Sequence, residues 1–211
     1  TTSITTANTN INFSTATVEM GNGSNLVVNT ATGAGQINMI GGVMGTSSEN
    51  LTLKAGTGKV AIGVIGNGSE IADVTITSTG STAFSGSFTG GSLITNGPAI
   101  VSSNMSIDST NAVTFGSTLN TLNGSQTITL DITGKLTVSG DIGGQNQFSA
   151  FTITDAESFI YSGPTIENFN STKFSPNGGL RQIDVGPGVE LSNEVSDALT
   201  DVDFDSSTFG S

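Results

Sequence analysis

The sequence contains no cysteine, no histidine and no tryptophan among its 211 residues. Cysteine and histidine supply many of the nucleophiles, proton-transfer groups and transition-metal ligands of enzymes. Disulfide bonds are excluded as well, so packing and hydrogen bonds must stabilise the fold. We therefore expect a protein that is not an enzyme, with no catalytic residue and no bound cofactor, calcium being the exception considered below.

Basic residues and long apolar runs are also scarce. Five Lys and Arg stand against 17 Asp and Glu, which gives a net charge of −12. Nucleic acids and anionic membrane surfaces are bound through clustered Lys and Arg, so neither is an expected partner. No apolar run approaches the roughly 18 residues of a membrane span. Because the chain starts at Thr1 without Met or a signal peptide, we expect a processed product or a section of a longer polypeptide.

Glycine, serine and threonine are abundant instead. The chain has 29 Gly, and 60 of its residues are Ser or Thr. These residues favour turns, and threonine also favours β-strands. The hydrophobic fraction of 34% is still sufficient for a core. This composition indicates a folded, β-rich chain with many short turns.

A repeat of short apolar-x-apolar triplets runs through most of the sequence. Successive triplets start 25, 23, 31, 23 and 23 residues apart, and an earlier candidate starts at Ile4. A second alternating pair follows each triplet after 8 to 11 residues. The triplets are Leu26/Val28, Leu51/Leu53, Val74/Ile76, Met105/Ile107, Ile128/Leu130 and Phe151/Ile153; the second pairs are Ile37/Met39, Val60/Ile62, Thr82/Phe84, Val113/Phe115, Leu136/Val138 and Phe159/Tyr161.

Alternation of side chains along a strand points the triplet residues inward and their neighbours outward. The neighbours are almost all polar, and Asn-Gly turns separate the strands. We therefore predict an all-β fold, a parallel β-helix (β-solenoid) with coils of about 22–31 residues over residues 1–166. The 31-residue interval is interpreted as a coil with an insertion of about eight residues, which would emerge as a loop.

Residues 167–211 form an acidic C-terminal segment, predicted to be a final coil or a cap. Two interpretations remain open there: a short helix over Glu190–Thr200, or β-segments at Ile183/Val185 and Val189/Leu191. Asp201, Asp203 and Asp205 alternate on one strand face and repel one another unless a cation such as Ca²⁺ joins them. They are the candidate metal ligands, against the alternative of an exposed acidic tail.

Two further sets of residues invite functional interpretations. Asp108 and Asp131 occupy the same outward position in adjacent coils, about 5 Å apart, which resembles the carboxylate pair of a retaining glycosidase. A solvated ladder is the alternative, since sugar-binding aromatics are scarce. The Thr-x-Thr triplets that begin at Thr75, Thr127 and Thr152 would suit an ice-binding face if they were aligned.

The run from Leu51 to Val60, continuing to Ile65-Gly66 and to Val74–Thr77, resembles the coil repeats of very large bacterial surface proteins related to filamentous-haemagglutinin-type adhesins. The likeness extends over about residues 26–166 and fades beyond Pro164. It implies an exported rod, located outside the cell or on a bacterial cell surface, that holds cells to surfaces or to one another. Expected partners are further copies joined head to tail, neighbouring repeats of the same polypeptide, or surface carbohydrate. The alternatives are a carbohydrate-active β-helix enzyme and an ice- or polysaccharide-binding module.

Overall fold

The computed structural model describes residues 1–163 except positions 47 and 67, together with the backbone of four short strands between residues 165 and 191. These residues contain no helix. Their 23 strands, in chain order, are β1 Thr2–Thr5, β2 Ile11–Asn12, β3 Val18–Glu19, β4 Leu26–Asn29, β5 Ile37–Met39, β6 Val43–Met44, β7 Leu51–Gly56, β8 Val60–Ile62, β9 Ile71–Ser78, β10 Thr82–Phe84, β11 Phe88–Thr95, β12 Ala99–Val101, β13 Met105–Ser109, β14 Val113–Phe115, β15 Leu119–Thr121, β16 Thr127–Ile132, β17 Lys135–Val138, β18 Ala150–Asp155, β19 Ser158–Tyr161, β20 Thr165–Ile166, β21 Thr172–Phe174, β22 Ile183–Val185 and β23 Glu190–Leu191.

The strands stack into a three-sided parallel solenoid, which confirms the predicted fold class. The first side consists of β1, β4, β7, β9, the end of β11, β14, β17, β19 and β22. The second side consists of β2, β5, β8, β10, β12 and β15, followed by a bridge at Ile142. The third side consists of β3, β6, bridges at Ile65 and Phe88, β13, β16, β18 and β21.

One ladder on the first side measures the length of each coil. It joins Thr2, Leu26, Leu51, Val74, Leu93, Val113, Leu136 and Phe159 as direct strand partners. The intervals are 24, 25, 23, 19, 20, 23 and 23 residues, so the ladder spans seven turns.

The core follows from the alternation of side chains on all three sides. On β7, Leu51, Leu53 and Ala55 are buried while the residues between them are not. β8 and β14 show the same buried-intermediate-buried pattern. Side chains from the three sides therefore meet in one continuous core that runs the length of the stack.

The prediction of a 31-residue coil with a looped insertion is wrong. Val74 pairs with Leu93, and Leu93 pairs with Val113, so the interval contains a complete 19-residue coil. The missed strand passes through Gly90 and Gly91, where a Cβ at Gly91 would collide with the carbonyl oxygen of Ala72. Only glycine allows this close approach of two coils at the corner between the third and first sides.

The corrected register moves three of the predicted triplets to another side. Met105/Ile107, Ile128/Leu130 and Phe151/Ile153 lie on the third side, above Phe88. The pairs Val113/Phe115, Leu136/Val138 and Phe159/Tyr161 continue the first side instead. Each predicted strand exists. The predicted alignment placed the triplets after the 19-residue coil on the same side as those before it, whereas the structure places them on the neighbouring side.

Parallel pairing continues into the acidic segment where the structure describes it. Ile183–Val185 pairs with Phe159–Tyr161, and Glu190–Leu191 pairs with Thr165–Ile166. Strands therefore occur where the β-segments were predicted, and Glu190 and Leu191 do not begin a helix. Residues 192–200 lie outside the described part of the chain.

The inward ladder predicts a large difference between two neighbouring substitutions. Ile76 is fully buried between its strand partners Leu53 and Thr95, whereas Thr75 points outward. We expect Ile76→Asp to lower the free energy of unfolding by about 3 kcal/mol or more, because a carboxylate would lie unpaired in the core. Thr75→Asp should cost less than about 1 kcal/mol. Urea unfolding of both variants checks this, and equal losses would contradict the register.

Thr95 leads to a prediction of increased stability. Its side chain is buried, and its hydroxyl has no hydrogen-bond partner among the described residues. Replacing the hydroxyl by a methyl group removes an unsatisfied polar atom, so Thr95→Val should raise the free energy of unfolding by about 1 kcal/mol. Thr75→Val on the outward face is the matched control and should stay within about 0.5 kcal/mol of the wild type. A less stable Thr95→Val protein would show that the hydroxyl is satisfied in solution.

Candidate functional site

Charged side chains are distributed unevenly around the solenoid. Strands of the third side carry Glu19, Asp108, Asp131 and Asp155. The lysines of residues 1–163 lie elsewhere: Lys54 and Lys135 are on strands of the first side, and Lys59 directly precedes a second-side strand. Within residues 1–163, most acidic strand residues therefore lie on the third side, with Asp73 of β9 as a first-side exception, and the lysines lie on or beside the other two sides. Lys173 of β21 is a third-side lysine outside that range.

The acidic groove is the concavity on the third side formed by Asp108, Asp131 and Asp155 with Ser106, Thr129 and Thr154 beside them. Asp108 and Asp131 are direct strand partners, as predicted. Asp155 is a third member that was not predicted. An irregularity at Leu130/Asp131 places it opposite Asp131, in the position expected for Thr154.

The acidic groove offers limited chemistry. Asp108 and Asp131 are solvent-exposed, and no aromatic side chain lines the groove. Within residues 1–163 as described, no group of three or more His, Cys, Asp or Glu side chains is arranged to hold a metal ion. A solvated ladder accounts for this arrangement. Asp201, Asp203 and Asp205, the predicted calcium ligands, lie outside the described residues.

The lysine groove is a second concavity, of about 510 Å³, between the first side and the adjoining corner. Asn29, Lys54 and Thr77 form its floor as aligned strand residues of three successive coils. Its wall consists of corner residues of the same coils: Ala31, Thr32, Gly56, Thr57 and Thr79.

We call the corner between the first and second sides the first corner. The groove exists because this corner is longer in some coils than in others. The length of the first corner is measured between two aligned inward residues, one on the first side before the corner and one on the second side after it. In the three coils of the groove these residues are nine, seven and six positions apart: Val28/Ile37, Leu53/Val60 and Ile76/Thr82. In the next three coils, Thr95/Ala99, Phe115/Leu119 and Val138/Ile142 are four positions apart. The longer connections project from the rod and wall the groove.

No family model, curated protein or solved structure matches the chain. The β-helix implied by the resemblance to filamentous-haemagglutinin-type adhesins is present, while membership of that family stays a hypothesis. Among the described residues there is no helix long and apolar enough to cross a membrane.

The Thr-x-Thr triplets do not form one face, so the aligned ice-binding surface is not present among the described residues. Thr75 lies on the first side, whereas Thr127 and Thr152 lie on the third. The outward column that contains Thr75 begins at Ser3 and reaches Asp184. The seven residues between them are β-branched, but three are aliphatic: Val27, Thr52, Thr75, Ile94, Thr114, Thr137 and Ile160.

Glu49 is a buried carboxylate that joins two successive coils. Its side chain accepts hydrogen bonds from the backbone N–H of Gly23 at 2.7 Å and of Thr46 at 2.6 Å. The Thr46 hydroxyl donates at 2.5 Å, and the backbone and hydroxyl of Ser48 donate at 3.3 Å. Gly23 belongs to the turn between β3 and β4, and Thr46 to the equivalent turn one coil later. Glu49 therefore ties the two turns together.

These donors stabilise the ionised form of Glu49. The Thr46 hydroxyl and then the Thr46 N–H lower its pKa from 4.5 to about 2, against an opposing effect of burial. One signal for this contact was present in the sequence, the Thr-x-x-Glu spacing of Thr46 and Glu49. That spacing is typical of a helix capping box, and here it occurs in a turn between strands.

The depressed pKa predicts how stability depends on pH. The contribution of Glu49 is fully present above its unfolded value near 4.5 and is lost as the pH falls through about 2. Glu49→Gln should therefore melt below the wild type at pH 7, and the gap should narrow between about pH 4.5 and 2. Glu70→Gln, at an exposed glutamate in the next coil, is the control and should leave the melting temperature unchanged. A gap that persists unchanged at about pH 2 would contradict the assignment.

Proposed function

We propose that this chain is a section or subunit of an extracellular adhesive rod on a bacterial surface. The observation that carries the proposal is the uninterrupted parallel stack of seven turns. At a coil spacing of about 4.8 Å, such a stack is a stiff element about 34 Å long. Its three outward sides display side chains at regular intervals, which suits repeated weak contacts with a surface.

The first coil supports continuation of the rod by another coil. Ile4, Phe13 and Val18 are only partly buried although they pack against the core. A cavity of about 210 Å³ lies beside them. β1 pairs with β4 along one edge, and its other edge has no strand partner among the described residues. Open strand edges pair readily with other strands, so we propose that a second copy, or a neighbouring section of the same polypeptide, stacks here.

The acidic groove favours a second candidate function, a carbohydrate-active β-helix enzyme. Three carboxylates aligned at strand spacing could act as an acid and a base. Asp108 and Asp131 are exposed strand partners, as in a solvated ladder, and no cationic side chain among the described residues lines the groove to orient a substrate. We therefore place the rod first.

A substitution at the free edge of β1 tests the assembly. The N–H groups of Thr2 and Thr6 donate to the β4 side, so alternation directs the N–H of Ser3 toward the free edge. The wild type should form rods that lengthen with concentration in negative-stain microscopy and light scattering. Ser3→Pro should shorten them by removing that donor, and Ser3→Ala should not. A wild type that stays monomeric at high concentration would contradict the proposal.

A further inference from the structure

We propose that the lysine groove binds the carboxylate of an acidic sugar unit in a surface polysaccharide, with the Lys54 ammonium as its counter-ion. The inference rests on the proposed adhesive function and gives it a ligand class. The site consists of the residues defined above as floor and wall, and its centre is Lys54, between Asn29 and Thr77.

Lys54 is a cation without an internal partner in the described part of the chain. Its side chain is exposed, and its ammonium makes no hydrogen bond or ion pair with another described residue. None of the residues that line the groove is acidic. The acidic groove lies on a different side of the rod, and exposed charges farther apart than about 8 Å are largely screened at physiological ionic strength. As far as the described residues go, a carboxylate entering the groove therefore meets a free ammonium and no competing acid.

The polar groups around Lys54 match the hydroxyls of a sugar. The Asn29 side-chain oxygen accepts from the N–H of Ala31 at 2.8 Å, so its amide nitrogen is left to donate. Thr32, Thr57 and Thr77 are exposed around the groove with side-chain hydroxyls that can donate or accept. The threonine methyl groups and Ala31 supply small apolar patches for the C–H groups of a sugar ring.

The groove is preformed and has a suitable size. Its volume of about 510 Å³ falls in the range of small-ligand sites. Gly56 holds its wall close to the coil below, because a Cβ there would lie 2.5 Å from the carbonyl carbon of Thr32. A wall made of stacked backbone loses little freedom when a ligand binds.

Charge selects a carboxylated sugar over a more highly charged ligand. The groove has one lysine in a protein of net charge −12, so a densely charged polyanion such as a nucleic acid would be repelled. A polysaccharide in which neutral units separate the acidic ones presents its charges farther apart, and each acidic unit needs one cation. Each contact is weak by itself, and repeated copies along a rod would add avidity.

The test compares a uronic-acid oligosaccharide with its carboxyl-reduced neutral counterpart by NMR titration of the full chain. We expect the acidic oligosaccharide to shift the backbone signals of Asn29, Lys54 and Thr77. Lys54→Gln should weaken binding at least about tenfold, because a charge-assisted hydrogen bond is lost. Lys54→Arg should retain binding. Lys135→Gln, which removes an exposed lysine of the first side outside the groove, should bind as the wild type does.

Three results would overturn the inference. The first is that the two oligosaccharides bind equally and Lys54→Gln has no effect. The second is that the signal changes are confined to residues outside the groove. The third is that neither sugar binds. The rod proposal is judged separately by the Ser3 variants. If the protein forms rods but its binding does not depend on Lys54, the assembly proposal stands and the ligand proposal fails. If it binds the acidic oligosaccharide through Lys54 but never assembles, the ligand proposal stands and the assembly proposal fails.

Discussion

Hydrogen bonding between coils is the constraint on which the rest of this structure depends. The strands give their backbone donors and acceptors to the coils above and below them, and all the pairings among the described residues are parallel. Once the coils are in register, similar positions stack at about 4.8 Å. A continuous core, outward columns and grooves along the axis all follow from that spacing. The chain achieves this without a disulfide and with few charged residues inside.

The sequence predicted the architecture well because local alternation and global stacking impose the same pattern. Leu51, Leu53, Val60 and Ile62 are inward residues on two successive sides, as their spacing indicates. The register across the 19-residue coil could not be obtained in this way. Apolar triplets on the first and third sides look alike in sequence. If the triplets are assigned to the wrong one of these two sides, their apolar residues still point inward and the residues between them still point outward. Only the pairing of Leu93 with both Val74 and Val113 distinguishes the two registers.

The site residues were harder to foresee, for a related reason. Glu49 depends on donors from a turn 26 residues earlier, and Asp155 depends on a local irregularity that shifts the register by one position. Alternation patterns contain neither kind of information. The lysine groove arises from differences in corner length between coils, which become visible only when the inward residues of each coil have been aligned. The positions of the charged residues could be read from the sequence, whereas the surface grooves could not be predicted from it.

The first corner has a meaning beyond the groove it forms. Its length falls from nine positions to four while the flanking ladders keep their register. The frame and the corner are thus separable. The described ladders of the frame stay aligned apart from two local irregularities, at Lys54/Gly56 and Leu130/Asp131, while the corner can gain or lose residues at a loop-closure cost of only about 0.6 kcal/mol for each doubling in length. A protein built in this way can diversify its surface by small insertions and deletions at one edge and leave its core unchanged. Relatives of this chain should accordingly differ most in length where the coils turn.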